Sequence, residues 1–262
     1  MKRSSGVRLG LPAAVGVLSL ALVTGCSGGG STGSGNAGGT DAAKPAARAL
    51  SIAELKKLII AAGEVPGYRV GPVSASRAEP IATGSAACRP LARVMSGLPP
   101  VDTAVRTDRM ATENRTKRPT ATPTSLEDMS EGDFEDALKV SLDRDVTTVS
   151  LSSYDGDGAA RALTSVSDAV RACADGFSAQ QGGDKVKFTK VAAERSIGAG
   201  DESVAFTAAM KSDGEAAPVH AEVDRHGTTL SVYFTVNLGA MMAKTAYVVS
   251  PAVVKAQEAK LK

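Results

Sequence analysis

The stretch Val219-His-Ala-Glu-Val-Asp-Arg-His-Gly-Thr-Thr-Leu-Ser-Val-Tyr-Phe234 indicates an antiparallel hairpin. Apolar and polar residues alternate on both sides of His226-Gly227, which is the period of two that a β-strand with one buried face requires. A two-residue type I′ turn at His226-Gly227 would pair Val223 with Leu230 and put every apolar residue on the same face. We therefore predict a hairpin with one buried face and one solvated face.

The segments around this hairpin predict an α+β fold in a single domain. Further apolar alternation predicts strands, and apolar residues at helical spacing, with capping and turn signals, predict helices. We expect an antiparallel sheet of about five or six strands covered by helices. The other strands are predicted at 68–73, at 146–154, around Val186 and Phe188, and from Val204 to Met210, and the helices at 51–62, 87–96, 159–177 and 248–259.

Residues 97–132 contain few apolar side chains and two opposite blocks of charge. Positive charge predominates from Arg106 to Arg118, a Thr/Pro run follows at 119–125, and Asp and Glu predominate from Glu127 to Asp136. Such a composition does not supply a buried face. We therefore predict a loop excursion at 97–132, which leaves open whether its charges pair with each other or bind a partner.

The N-terminus has the features of a bacterial lipoprotein signal peptide. Three basic residues lie within the first eight positions, and an apolar segment follows at 9–23, too short for the about 20 residues of a membrane span. Leu22-Val-Thr-Gly-Cys26 then resembles a lipobox. We predict that residues 1–25 are removed, that Cys26 is lipidated, and that the protein is anchored to the extracytoplasmic face of the cell membrane.

A Gly/Ser-rich linker follows the predicted lipid anchor and ends near residue 48. Its composition predicts a flexible spacer, so the folded domain is expected at 49–262. The whole chain has 30 basic and 28 acidic side chains, and residues 1–25 contain three of the basic and none of the acidic ones. The mature chain therefore has a net charge of 27 − 28 = −1, which gives no electrostatic argument for binding nucleic acid.

Two cysteines remain when Cys26 is assigned to lipid. Cys88 lies on an apolar stripe with Leu91 and Met95, and Cys173 lies on another with Val166 and Val170. Outside the cytoplasm an even pair favours a disulfide. Free buried thiols and metal ligation remain alternatives, although two isolated cysteines make a poor zinc site.

The histidines provide no convincing catalytic or metal site. His220 shares the polar face of the hairpin with Glu222 and Asp224 and is expected opposite Tyr233, so weak metal binding competes with a simple solvated face. His226 is interpreted as a turn residue. Ser150, Ser152 and Ser153 near Tyr154 either line a polar pocket or form the solvent face of their strand.

Motifs for catalysis and cofactor binding are absent from the sequence. Asp155-Gly-Asp-Gly158 starts like a calcium loop, but Ala160 and Val166 stand where that loop needs Gly and Glu, so we interpret it as a turn and helix cap. Gly25-Cys-Ser-Gly-Gly29 matches Gly-x-Ser-x-Gly without the strand and helix that a nucleophile elbow needs. No phosphate-binding loop follows a strand. We expect no enzyme activity, no metal and no cofactor.

Five short segments, taken in order, resemble a family. They are Val65-Pro-Gly-Tyr68, Ala87-Cys-Arg-Pro-Leu91, the stretch Val149–Ala160, Ala172-Cys-Ala-Asp-Gly-Phe177, and Gly200-Asp-Glu202. Their order resembles that of actinobacterial, Streptomyces-like secreted lipoproteins and, more distantly, of PknH-type extracellular sensor domains. The sensor resemblance implies an antiparallel sheet packed by helices around a cleft, with two disulfides. Only one cysteine pair is available here.

The expected function is that of a non-enzymatic, sensor-like domain on a lipid anchor, which binds a small amphiphile, a glycan or another envelope component. The cleft is expected beside the 159–177 helix and the 146–154 strand. The alternative is a protein-interaction module that docks onto a membrane kinase or cell-wall enzyme through the 106–136 charges or the exposed face of the hairpin. An envelope hydrolase would need paired carboxylates, which the spacing does not nominate. The oligomeric state stays open.

Overall fold

The computed structural model describes residues 47–74, 79–103, 105–114, 130–211 and 216–262. One compact unit contains all of these residues. Within them the chain forms six helices and eight strands. In chain order these are α1 Ile52–Leu58, β1 Tyr68–Gly71, α2 Arg89–Val94, β2 Val105–Glu113, α3 Glu131–Leu142, β3 Val146–Ser153, α4 Gly158–Ala172, β4 Phe177–Gln181, β5 Asp184–Glu194, β6 Glu202–Lys211, β7 Ala217–His226, β8 Thr229–Val236, α5 Leu238–Ala243 and α6 Pro251–Glu258.

All eight strands belong to one antiparallel sheet, in the order β1-β2-β3-β8-β7-β6-β5-β4. The α+β class is confirmed, but the predicted strand count of five or six was too low because β2 and β4 were missed. The predicted helices are present and shorter. Helix α1 begins with the expected capping box, in which Ser51 and Glu54 satisfy each other's backbone N–H groups.

Strand β2 corrects the predicted loop at 97–132. Residues 105–113 pair with β1 on one side and β3 on the other, although only Thr107 and Ala111 are buried. Hydrogen bonds to two neighbouring strands hold this charged segment in the sheet, so it does not need an apolar face of its own. The acidic end of the predicted excursion is also ordered, as α3, and residues 115–129 lie outside the described residues.

The end of the predicted 159–177 helix is a turn that leads into strand β4. The helix stops at Ala172, and Gly176 has a φ of 86°, which favours glycine. A Cβ at Gly176 would lie 2.0 Å from the carbonyl oxygen of Phe188, so a side chain does not fit there. This turn lets Phe177 pair with Phe188 of β5, and their rings stack with centroids 4.7 Å apart.

The β7–β8 hairpin is present, but its register differs from the predicted one by two residues. Val223 pairs with Val232 instead of Leu230, because the two-residue loop is Gly227-Thr228. Only Gly227 has a positive φ, 58°, which fits a type II′ turn rather than type I′. A shift of two residues leaves each side chain on its original face. The predicted apolar face is therefore confirmed.

The sheet has a hydrophobic core on each face. On one face α2 and α4 cover β4–β8, with Leu91 and Val166 fully buried. On the other face, α1 and α6 cover β1, β2, β3 and β8, where Leu55 and Val253 are fully buried. We call the face that α1 and α6 cover the α6 face. In the described part of the chain, no helix has the length and apolar character needed to cross a membrane.

Candidate functional site

The two kinds of predicted modification site have different outcomes. Cys26 lies outside the described residues, so lipidation stays a prediction. Cys88 and Cys173 form the predicted disulfide, with their Cα atoms 5.9 Å apart. The bond joins the start of α2 to the end of α4, since Cys88 is the N-cap of one helix and Cys173 the C-cap of the other.

A cleft beside α4 and β3 does not account for the cavities of this domain. Helix α4 packs across β5, β6, β7 and β8 instead of lying along β3. The largest cavity that we describe lies at the far corner of the sheet, on the α6 face of β4 and β5, where no helix covers the strands. We call it the corner cavity. Its volume is about 840 Å³, and its lining residues are Ala82, Thr83, Gly84, Ser178, Ala179, Gln180, Lys185, Val186, Lys187, Thr189 and Lys211.

The wall of the corner cavity comes from a loop that joins the free edge of the sheet. Ala82 and Gln180 exchange two backbone hydrogen bonds of 2.8 Å, so the loop adds a short bridge to the edge strand β4. The Thr83 hydroxyl donates to the Ser178 carbonyl oxygen at 2.8 Å. These bonds hold residues 82–84 beside strands that are about 100 residues away in sequence.

Three lysines line the corner cavity and its lining contains no acidic residue. Lys185 and Lys187 alternate with the buried Val186 and Phe188 on β5, so both lysines face away from the core. Lys187 lies between Ser178 of β4 and Lys211 of β6 in the sheet register. We call Lys185, Lys187 and Lys211 the lysine corner.

A smaller cavity of about 210 Å³ lies on the opposite face of the same corner. It is lined by residues next in sequence to those of the corner cavity, among them Ile81, Gln181 and Met210. Its remaining lining is largely apolar: Met95, Ser96, Thr148, Val219, Phe234 and Val236. Thr148 is the only contribution of the predicted 146–154 region to either cavity.

The polar face of β7 is buried, which contradicts the predicted solvated face. His220, Glu222 and Asp224 are 7%, 1% and 0% exposed. The burial comes from segments distant in sequence: residues 196–198 contact Glu222, Tyr247 packs edge-on against His220, and α6 brings Glu258 to this face. The register also differs from the expected one, since Glu222 and not His220 lies opposite Tyr233.

Glu222, Asp224 and Glu258 form a group of buried acids that we call the carboxylate cluster. One oxygen of Glu222 accepts hydrogen bonds from the Ser196 hydroxyl and from the backbone N–H groups of Ile197, at 2.9 Å, and Gly198, at 2.6 Å. Glu258 accepts from the Tyr233 hydroxyl at 3.3 Å and lies 2.9 Å from His226 Nε2. His226 is therefore more than the predicted turn residue, because it links the hairpin to α6.

Asp224 has no hydrogen-bond partner for either carboxylate oxygen within the described residues. Burial, and next the negative charge of Glu222, raise its pKa to about 8. Burial also raises the pKa of Tyr233. An acid in this position holds a proton at neutral pH, so the cluster contains fewer negative charges than its sequence suggests.

The carboxylate cluster does not have the geometry of a metal centre. Across the ranges that the structure describes, no three His, Cys, Asp or Glu side chains converge as ligands of an ion. His220 Nδ1 lies 2.9 Å from Glu194 Oε2, away from Asp224 and in contact with Tyr247. The cluster is also not among the residues that line either cavity, so it does not meet a described substrate space.

The serines of β3 are buried as well. Ser150 and Ser152 are fully buried with no hydrogen-bond partner for their hydroxyls among the described residues, and neither lines a described cavity. Ser153 accepts from the backbone N–H of Leu50 at 2.9 Å. The expectation of a solvent face was wrong, and a polar pocket at these residues is not what the structure shows. Asp155-Gly-Asp-Gly158 forms the predicted turn, where Asp155 accepts from the Ala49 N–H.

Sequence reasoning missed the lysine corner. The signal was a Lys-x-Lys alternation on β5, but lysines near a sheet edge commonly serve to prevent edge-to-edge association. The cavity itself depends on the 82–84 loop, and no local pattern indicates that this loop returns to β4.

Comparison with known proteins finds a distant structural similarity. No family model matches this chain, and no curated protein matches it. The extracellular domain of PknH from Mycobacterium tuberculosis is similar to it with a TM-score of 0.44 and 9% sequence identity, over 80% of this chain and 98% of that domain. The expected distant resemblance is thus found, and at this level it does not extend to a ligand or an activity.

Proposed function

We propose that this chain is a lipid-anchored, extracytoplasmic and non-enzymatic domain that binds a small envelope ligand in the corner cavity. The observation that carries the proposal is the cavity itself. Its volume of about 840 Å³ lies within the range of small-molecule sites, and its lining contains polar groups beside apolar Ala and Val side chains. The lining includes no His, Cys, Asp or Glu that could act as an acid, base or metal ligand.

The extracytoplasmic part of the proposal is supported by the disulfide and by the lipobox. Disulfides persist mainly in oxidising compartments, and Cys88–Cys173 joins two helices of the core. The lipid anchor is tested with Cys26→Ser and palmitate labelling. We expect the label to be lost, and normal labelling of the variant would remove the anchor from the proposal.

Ligand binding is tested by native mass spectrometry of the full chain after incubation with envelope extract. We expect a discrete added mass in the wild type. Ser178→Trp, which would fill the cavity from the exposed face of β4, should abolish it. Thr164→Trp, on the exposed side of α4, is the control and should keep the added mass. An added mass that survives Ser178→Trp would place the ligand elsewhere.

The alternative of a protein-docking module loses one of its two expected surfaces, because the polar face of the hairpin is buried. Of the 106–136 charges, residues 106–113 belong to the sheet and residues 115–129 lie outside the described residues.

A further inference from the structure

We infer that the ligand of the corner cavity is an anion that bears phosphate, and that Lys187, Lys211 and Ser178 hold its charged group. The inference rests on the proposed function and specifies the ligand's chemical class. Lys187 lies at the centre of the site, because Ser178 and Lys211 flank it on the two neighbouring strands. Each of the three residues lines the cavity.

The charge of the lysine corner is not offset within the described residues. Within the described residues, ion pairs are formed by other lysines of the domain, such as Lys139 and Lys260, but not by Lys185, Lys187 or Lys211. Two described acids lie near the β4–β5 turn and form no ion pair with these lysines among the described residues. Glu79 has its carboxylate over Gly182 in the β4–β5 turn, and Asp184 is at the start of β5.

Lys187 and Lys211 repel each other across the strand pair. They are direct register partners, and residues at such positions have Cβ atoms about 4.5–5.5 Å apart. Like charges at this spacing destabilise a sheet. An anion between the two ammonium groups would turn this repulsion into attraction, so the site is organised to gain free energy from a bound negative charge.

Ser178 adds a neutral donor beside the two charges. Its hydroxyl has no hydrogen-bond partner among the residues that the structure describes, whereas the hydroxyls of Thr83 and Thr189 already donate to carbonyl oxygens. Two ammonium groups and one free hydroxyl match the several acceptor oxygens of a phosphate group, for which lysine acts as a point charge. Thr189 lies at a β-bulge, a feature common beside binding sites.

Lys190 provides a way to distinguish a discrete phosphate site from a diffuse basic surface. It is exposed on the same face of β5, but it pairs with Ala209 and does not line the cavity. A membrane surface attracts each exposed lysine by a similar amount. A phosphate group held in the cavity depends on Lys187 and Lys211 and is insensitive to Lys190.

The test is equilibrium binding of three probes to the full chain: glycerol 1-phosphate, dihexanoyl phosphatidic acid and dihexanoyl phosphatidylcholine. We expect the two monoester phosphates to bind, with the zwitterionic lipid much weaker. K187Q/K211Q should weaken the phosphate probes about tenfold or more, and K190Q less than about twofold. A lipid source is indicated if phosphatidic acid binds better than glycerol 1-phosphate, and a soluble phosphate source if they bind equally.

Three outcomes would overturn the inference. Equal losses in K190Q and K187Q/K211Q would indicate a diffuse surface, to be confirmed by co-sedimentation with vesicles rich in phosphatidylglycerol. Absence of phosphate binding, with an extract-derived mass that persists in K187Q/K211Q, would overturn the anionic ligand and leave the proposed function standing. If neither probe binding nor an extract-derived mass is detected, both proposals are overturned.

Discussion

The α6 face of the sheet contains two charged regions that are organised in opposite ways. At the lysine corner, three cations stay in solvent around a cavity without acidic neighbours in its lining. At the carboxylate cluster, three acids are almost completely buried beneath α6 and the 196–198 segment. The two regions lie on the same face of neighbouring strands, since Lys211 belongs to β6 and β6 pairs with β7.

The difference shows how covering a sheet face decides what a charged residue can do. Buried acids must be protonated or hydrogen-bonded, because burying an unsatisfied group is costly. The cost is of the order of 1–3 kcal/mol for a neutral polar group and higher for an unpaired charge. Exposed lysines keep their charge and remain available to a ligand. The carboxylate cluster therefore affects stability, whereas the lysine corner is suited to binding.

The largest expected effect is on the pH dependence that Asp224 imposes. Its pKa is about 8 in the folded protein and 3.8 as the ordinary value, so the folded state holds the proton more tightly. The stabilising contribution is fully present below pH 4, falls as the pH rises to 8, and is absent above that. Asp224→Asn should flatten this decline and raise the free energy of unfolding at pH 9 by roughly 3 kcal/mol.

Urea denaturation of both proteins from pH 4 to pH 9 measures this difference. Asp201, an exposed acid near the hairpin tip that is paired with Arg225, supplies the matched control. Asp201→Asn should leave the shape of the pH profile unchanged. A parallel decline in the wild type and Asp224→Asn would show that Asp224 does not bind the proton.

Glu222 tests the opposite solution to burial, namely hydrogen bonding. Glu222→Ala removes the acceptor of two backbone N–H groups, those of Ile197 and Gly198. Leaving them unpaired should lower the free energy of unfolding by about 2 kcal/mol at pH 6, where Asp224 is protonated. Glu222→Gln keeps an acceptor oxygen and should retain most of the stability.

Hydrogen exchange gives a second readout for this variant. The amides of Ile197 and Gly198 should exchange faster in Glu222→Ala and at nearly the wild-type rate in Glu222→Gln. Unchanged exchange in Glu222→Ala would mean that another group satisfies these amides.

The contrast between the two regions also explains which features could be predicted from the sequence. Alternation on β7 and β8 correctly separated the two faces, because a register shift of two residues does not exchange them. The disulfide followed from two cysteines on apolar helical stripes. Both features depend on local periodicity.

Features that depend on distant segments could not be predicted in this way. Alternation indicates that His220, Glu222 and Asp224 share a face, but it does not indicate that α6 and residues 196–198 cover that face. Strand β2 was missed because ladder hydrogen bonds, and not an apolar pattern, hold it. The corner cavity needs the Ala82–Gln180 bridge between segments about 100 residues apart.

An effect of similar size is expected from crowding the carboxylate cluster. A Cβ at Gly198 would lie 2.1 Å from Asp224 Oδ2. Gly198→Ala therefore forces either the buried Asp224 side chain or the 196–198 segment to move. We expect a loss of about 2 kcal/mol by urea denaturation. Gly71→Ala, where a Cβ meets open space, is the control and should have little effect.

A double-mutant cycle assigns this cost to the contact with Asp224. In an Asp224→Ala background, Gly198→Ala should lose much less stability, because the carboxylate that it meets has gone. Additive losses would place the strain elsewhere in the 196–198 segment.

The smallest expected effect concerns the stability of the lysine corner without a ligand. Lys187→Gln removes the like-charge pair with Lys211 and should raise Tm by about 1 °C at low salt. The gain should vanish in 1 M NaCl, where the screening length falls to about 3 Å. Lys190→Gln, which faces Ala209, should change Tm at neither salt concentration.

Thermal scans in phosphate-free buffer separate these cases. An equal gain in Tm in both variants would mean that the lysines repel as a diffuse surface and that Lys187 and Lys211 are no special pair. Two results together would connect the repulsion between Lys187 and Lys211 with the free energy of binding. The gain in Tm would be confined to Lys187→Gln, and glycerol 1-phosphate would raise the Tm of the wild type only.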